Sequence, residues 1–251
     1  MTLAKSKPNT IEIVKLLEID STNKYAAGLI ADKQIEKPTL IYTLQQNSGK
    51  GLGHNTWHSQ AGKNLLLSLV VFSDIKAEEH FKLNMIVSLS ICEFLLLKGI
   101  EVKIKWPNDI YCQNKKIAGI LIENNICGNL IEFSIIGVGL NLNQTEFPSE
   151  LKNPISLKQI KNTVYDIDIE AKLIAQILID KLEQFKSKSF TTVLKYYNKK
   201  LYRFGLFSKF RDKDKEFSGY IKNVNESGQL IICDKESTTR LYNFKEVELL
   251  S

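Results

Sequence analysis

Four short segments of the chain combine residue types that can do chemistry. In Ser48-Gly49-Lys50-Gly51-Leu52-Gly53-His54-Asn55-Thr56-Trp57, alternating glycines let backbone amides approach a ligand, and Lys50 among them suits an anion such as phosphate or carboxylate. The spacing fits neither a Walker loop nor a dinucleotide fingerprint, and a flexible surface loop accounts for it equally well. Lys105-Trp106-Pro107-Asn108-Asp109 gathers a cation, an indole and two polar side chains around a rigid proline; a Pro-Asn-Asp turn with Trp106 in the core is the alternative. Lys115-Lys116, read as part of a turn, leads through Ala118-Gly119 into an apolar strand, and a lysine of such a pair is ordinarily just solvated. Gly137-Val138-Gly139-Leu140-Asn141-Leu142-Asn143 closes another apolar run. Glycine inside a strand marks a bulge or a surface on which something packs, adenine for instance, and tight strand packing explains it as well.

The elements that must position these segments follow from periodicity. Residues 11–19 are rich in Ile, Val and Leu and read as a strand, ending at Asp20-Ser21-Thr22-Asn23, a cluster suited to capping a helix that runs to about Lys33. Strands are expected at 39–45 and 64–72, on either side of the polar, glycine-rich loop 47–63, and a buried helix at 77–98. Further strands at 101–106, 110–112, 116–124 and 129–142, joined by short turns, predict an antiparallel or mixed sheet. Helices at 169–185 and 190–201 follow. Short alternating strands at 206–211, 216–223, 230–234 and 239–243 then predict a small barrel.

Composition narrows the classes. Hydrophobic residues make up 43% and charged residues 25% of 251, which argues against wholesale disorder and against a membrane protein. The apolar runs 65–72 and 92–97 are far shorter than the ~20 residues of a spanning helix, and MTLAKSKPNT lacks an apolar run after its lysines, so a cytoplasmic location is expected. Cys92, Cys112, Cys127 and Cys233 are widely spaced and make no zinc pattern with the three histidines; reduced, buried thiols are expected. The net charge of +6 is spread along the chain, as on a solvated surface more than a nucleic-acid footprint.

Taken together, Gly-Lys-Gly with Asn-Thr-Trp, Lys-Trp-Pro-Asn-Asp, Lys-Lys-Ile-Ala-Gly-Ile-Leu and Gly-Val-Gly-Leu-Asn-Leu-Asn resemble the biotin protein ligases in order and spacing, over residues 10–145. The resemblance implies an α+β fold: a mixed or antiparallel sheet with packed helices, like the catalytic domain of class II aminoacyl-tRNA synthetases, at 1–203, and a small SH3-like β-barrel at 204–251. It implies the short type without an N-terminal DNA-binding domain. The implied activity is ATP-dependent formation of biotinyl-AMP, with Mg²⁺, followed by transfer of biotin to a lysine of a biotin carboxyl carrier domain of a carboxylase. No protein-held metal site, DNA partner or membrane is expected, and a homodimer is left open.

Carried over residue by residue, the resemblance assigns Ser21, Thr22, Asn23 and Gln46 to biotin, and Lys50, Gly51, Leu52 and Lys116 to the junction of carboxyl and phosphate. It assigns Trp57, Lys105, Asn108 and Asn141 to the nucleotide. Lys116, Lys50 and Asp109 would be the catalytic groups. The chain departs from relatives that carry arginine at the positions of Lys50 and Leu52 and glycine at that of His54. Competing readings are a lipoate or octanoate ligase or transferase of the same fold, and a sensor of biotinyl-adenylate that does not turn over.

Overall fold

The structure, a computed structural model, describes residues 11–53, 55–72, 75–213 and 215–250. Residues 1–10 and His54, to which two of the expectations above attach, lie outside them. In chain order the elements are β1 (Glu12–Ile19), α1 (Thr22–Ala31), β2 (Thr39–Gln46), β3 (Leu65–Phe72), α2 (His80–Leu97), β4 (Lys103–Lys105), β5 (Asp109–Cys112), β6 (Lys115–Cys127), β7 (Leu130–Leu140), α3 (Leu157–Lys161), α4 (Ile167–Lys186) and α5 (Phe190–Lys200). Five strands follow: β8 (Ser208–Asp212), β9 (Lys215–Val224), β10 (Leu230–Asp234), β11 (Thr239–Tyr242) and β12 (Val247–Leu250).

Seven strands form one sheet in the order β1-β2-β3-β7-β6-β5-β4. Only β1 and β2 run parallel, because α1 returns the chain between them; every other pair is antiparallel and most are joined by short turns. Both faces of the central strands are covered, which is why β3 reads Leu-Leu-Leu-Ser-Leu-Val-Val without alternation. Leu65, Leu67, Leu69 and Val71 join α2, α4 and α5 in the main core, while Val70, Ile41 and Ile135 pack with Ala26 of α1 on the opposite face.

Residues Ala77–Leu97 are long and apolar enough to cross a membrane, and 72% of that window is buried inside the protein. Burial on nearly every side makes this the core helix. Its C-terminal Lys98 is tied to α4 by an ion pair with the buried Glu170 at 2.6 Å.

The last five strands form a second, antiparallel sheet, β11-β10-β9-β8-β12. Its core is continuous with the first: Phe210, Ile221, Val224, Leu230, Ile232 and Tyr242 belong to the same cluster as α2. Trp106 is one fastener, donating from Nε1 to Gly228 O (3.0 Å) with its ring 5.3 Å from that of Phe244. Gly228 is required there, since its φ is +85° and the Phe81 ring occupies the place of a side chain.

Three expectations change. The strand expected from residue 116 is present as β6 but begins at Lys115, beside a bulge at Ile110/Tyr111, so the pair Lys115-Lys116 is not part of a turn. Cys127 is exposed, whereas Cys92, Cys112 and Cys233 are buried, and none of the four is paired. The helix α3 and the strand β12 were not anticipated.

Candidate active site

The sheet turns the N-terminus of α1 toward the middle of β3 and β7. Ser21 caps the helix by accepting from Lys24 N, and Ser21, Thr22 and Asn23 are all buried, an unusual fate for three polar residues in a row. Their burial is compensated by a network. Gln46 Oε1 accepts from Thr22 N (2.8 Å) and from Thr22 Oγ1 (3.1 Å), Ser68 Oγ lies 2.7 Å from Thr22 Oγ1 and 2.5 Å from Asn23 Oδ1, and Asn23 Nδ2 donates to Glu123 Oε2 at 2.6 Å. Gly137 makes room for this: a Cβ there would meet Asn23 Oδ1 at 2.5 Å.

The segment after β2 folds back on itself. Lys50 and Thr56 bridge, Gly51 N donates to Asn55 O (2.7 Å) and Trp57 N to Gly49 O (3.0 Å). This small hairpin lays Trp57 across β6 and β7, where the indole fills the space over Gly139 and lies 3.1 Å from a Cβ built on Gly119. The group that packs on the glycines of β7 is therefore Trp57, with Asn23 beside it. The buried Trp57 Nε1 finds no acceptor among the described residues.

Lys116 reaches over the same surface, its Nζ 2.6 Å from Asp109 Oδ1 and 5.6 Å from the Trp57 ring. Asp109 opens β5, and Asn108 is fixed beside it by donating from Nδ2 to Ile120 O (2.7 Å) while its own carbonyl accepts from Ile120 N. Lys105 donates to the Tyr111 hydroxyl at 3.3 Å. Burial, with the Asp109 charge adding to it, raises the Tyr111 pKa and keeps this phenol neutral.

One cavity of about 570 Å³ collects these groups. Of the residues nominated from sequence, Ser21, Thr22, Asn23, Gln46, Lys50, Gly51, Leu52, Trp57, Lys105, Asn108, Asp109 and Lys116 all line it. Asn141 does not: its amide donates to Ile155 O (3.1 Å), and it anchors the segment leading to α3. Sequence reasoning missed Tyr202, Lys245 and Glu248, which line the cavity from the second sheet or the link to it, and it missed Ser68 beneath the floor. A lone serine in an otherwise apolar strand was the only available clue to Ser68. The lining carries Lys50, Lys105, Lys116 and Lys245 against Asp109 and Glu248, so it favours anions.

The described residues contain no group of three or more potential metal-ligating side chains. An ion that arrives with a triphosphate needs only one or two carboxylates from the protein, and Asp109 fits that requirement.

The sequence pattern of the biotin/lipoate A/B protein ligase family matches residues 17–141. Over 238 residues the chain is 29% identical to the bifunctional ligase/repressor BirA of Bacillus spizizenii, covering 92% of this chain and 72% of that one. It is 24% identical over 224 residues to the biotin--[acetyl-CoA-carboxylase] ligase of Paracoccus denitrificans, covering 86% and 92%. Among solved structures it is similar to the biotin protein ligase of Aquifex aeolicus in complex with biotin and ATP, with a TM-score of 0.77, 26% identity and coverage of 95% and 98%.

Proposed function

Because the chain belongs to the biotin/lipoate A/B protein ligase family, we infer that its cavity joins biotin to AMP and then passes the biotinyl group to an acceptor lysine. The protein is an ATP-dependent biotin protein ligase. The observation that carries the assignment of its residues is that one cavity holds an uncharged polar slot at the start of α1 next to a cluster of lysines.

The slot suits the biotin headgroup. A ureido group both donates and accepts hydrogen bonds, and Ser21, Thr22, Asn23 and Gln46 offer hydroxyls and amides of both kinds, while Leu67, Leu121 and Val138 offer apolar surface to the rest of the molecule. A dithiolane headgroup could use none of the polar groups and would leave them desolvated, which disfavours lipoate.

The first step brings two anions together: a biotin carboxylate oxygen attacks the α-phosphorus, and the bond from phosphorus to the pyrophosphate oxygen breaks. Lys50 and Lys116 offset the repulsion and stabilise charge on the phosphoryl oxygens. Trp57 and Lys105 border the nucleotide, with Asn108 holding the Asp109 turn in place. Mg²⁺ bound with ATP would neutralise part of the phosphate charge, and Asp109 is the residue that would hold it.

In the second step an acceptor amine attacks the acyl carbon and AMP leaves. The amine, with an ordinary pKa of ~10.4, must lose a proton. One Asp109 oxygen is engaged by Lys116, and the other is assigned to orient the amine and receive that proton. The acceptor is a lysine of a biotin carboxyl carrier domain. Calorimetric titration of the purified chain with biotin and with lipoate tests the slot: biotin should bind and lipoate should not, and the reverse preference would overturn the reading.

A further inference from the structure

Leu52 brings no charge to the glycine-rich hairpin, yet a cation stands beside it. Lys245 lies between β11 and β12 with φ +69°, a left-handed conformation that lysine rarely adopts. The turn is held by Glu246, which accepts from Asn243 N (2.6 Å) and Asn243 Nδ2 (3.1 Å). So held, Lys245 crosses from the second sheet to the hairpin: its ammonium occupies the place where a Cβ on Gly53 would sit. It lines the cavity with Lys50, Gly51 and Leu52, and among the described residues it has no carboxylate within ion-pair distance. The neighbouring Glu248 is engaged by Arg211 and Lys152 instead.

We propose that Lys245 is a nucleotide-binding residue, a cation of the second sheet that contacts the phosphates of ATP across the hairpin. This rests on the biotin-ligase reading of the cavity. The left-handed backbone, which Lys33 and Lys213 also adopt, only fixes where the side chain leaves the second sheet. An ammonium set against a glycine without a counter-ion is positioned to receive an anion, and the residues around it are those assigned to the phosphate. The second sheet would then take part in binding, and the hairpin would be pinned from outside its own sequence.

The variants are chosen so that the turn survives. Lys245→Gly and Lys245→Asn both accept a positive φ, so neither should unfold the turn. In biotin-dependent pyrophosphate exchange the KM for ATP should rise about tenfold in both, as for loss of one charge-assisted contact, with biotin affinity by calorimetry unchanged. Leu52→Lys introduced into Lys245→Gly should recover most of the loss, because it restores a cation on the neighbouring residue of the hairpin. A KM for ATP within twofold of the parent in both single variants would overturn the proposal. So would a loss that Leu52→Lys does not reduce, which would mark Lys245 as a structural element of the turn. Absence of exchange in the unsubstituted protein would instead overturn the functional reading beneath it.

Discussion

Lys116 Nζ and Asp109 Oδ1 stand 2.6 Å apart on neighbouring strands, which couples the cation assigned to the first step to the carboxylate assigned to Mg²⁺ and to the acceptor amine. Lys116→Ala should reduce biotinyl-AMP formation by about 10²-fold, the scale of losing one stabilising group at a developing charge. The backbone of Lys116 supplies its structural contacts, to Asn153 and Ile155, so the variant should keep its fold. Asp109→Asn keeps an oxygen for Mg²⁺ but cannot receive the proton of the amine, so it should slow transfer to the acceptor more than it slows adenylate formation. Rapid-quench measurement of the two half-reactions checks both, and equal losses in Asp109→Asn would count against a role at the amine.

The two glycines of β7 are expected to separate the substrates. A methyl group at Gly137 meets Asn23, and one at Gly139 meets the Trp57 ring. Gly137→Ala should therefore weaken biotin binding with little change in the KM for ATP, whereas Gly139→Ala should displace Trp57 and raise the KM for ATP. The reverse pattern in titrations of the two variants would show that the slot has been assigned to the wrong end of the cavity.

Stability of the core depends on Lys98 and Glu170, an ion pair that joins α2 to α4 with little exposure of the carboxylate. Lys98→Met leaves that carboxylate buried and alone, and should cost about 3 kcal/mol in urea unfolding. Adding Glu170→Leu should recover most of it. A double variant no more stable than the single one would mean that packing, not charge burial, sets the cost.

Among the cysteines, Cys127 is the exposed one, at the end of β6, while burial pushes the Cys92 thiol up to about 12. A thiol reagent at neutral pH should modify Cys127 first and leave Cys92 untouched until the protein unfolds. Mass mapping of the modified peptides reads this out directly.

The sequence was informative where function lies in contiguous residues, and silent where it does not. The hairpin around Lys50, the Lys105–Asp109 run and the glycines of β7 announce themselves because each packs several recognition groups into one turn or strand end. Ser68, Lys245 and Glu248 lie far from those runs and meet the cavity only through tertiary structure. Asn141 shows the converse: it sits in a motif, but beyond the end of β7 its side chain turns to Ile155. The Gln113-Asn114 punctuation makes Lys115-Lys116 read as the end of a turn, whereas β6 begins at Lys115, one residue before the strand that the apolar pattern predicts. The five-residue α3 and four-residue β12 are too short to show a periodicity.

Exchange of labelled pyrophosphate into ATP by the purified chain, with biotin and lipoate supplied in parallel, decides whether the cavity activates biotin. Exchange should depend on biotin, be absent with lipoate, and fall by about 10²-fold in Lys116→Ala. Exchange supported by lipoate and not by biotin, or no exchange with either, would contradict the biotin-ligase assignment.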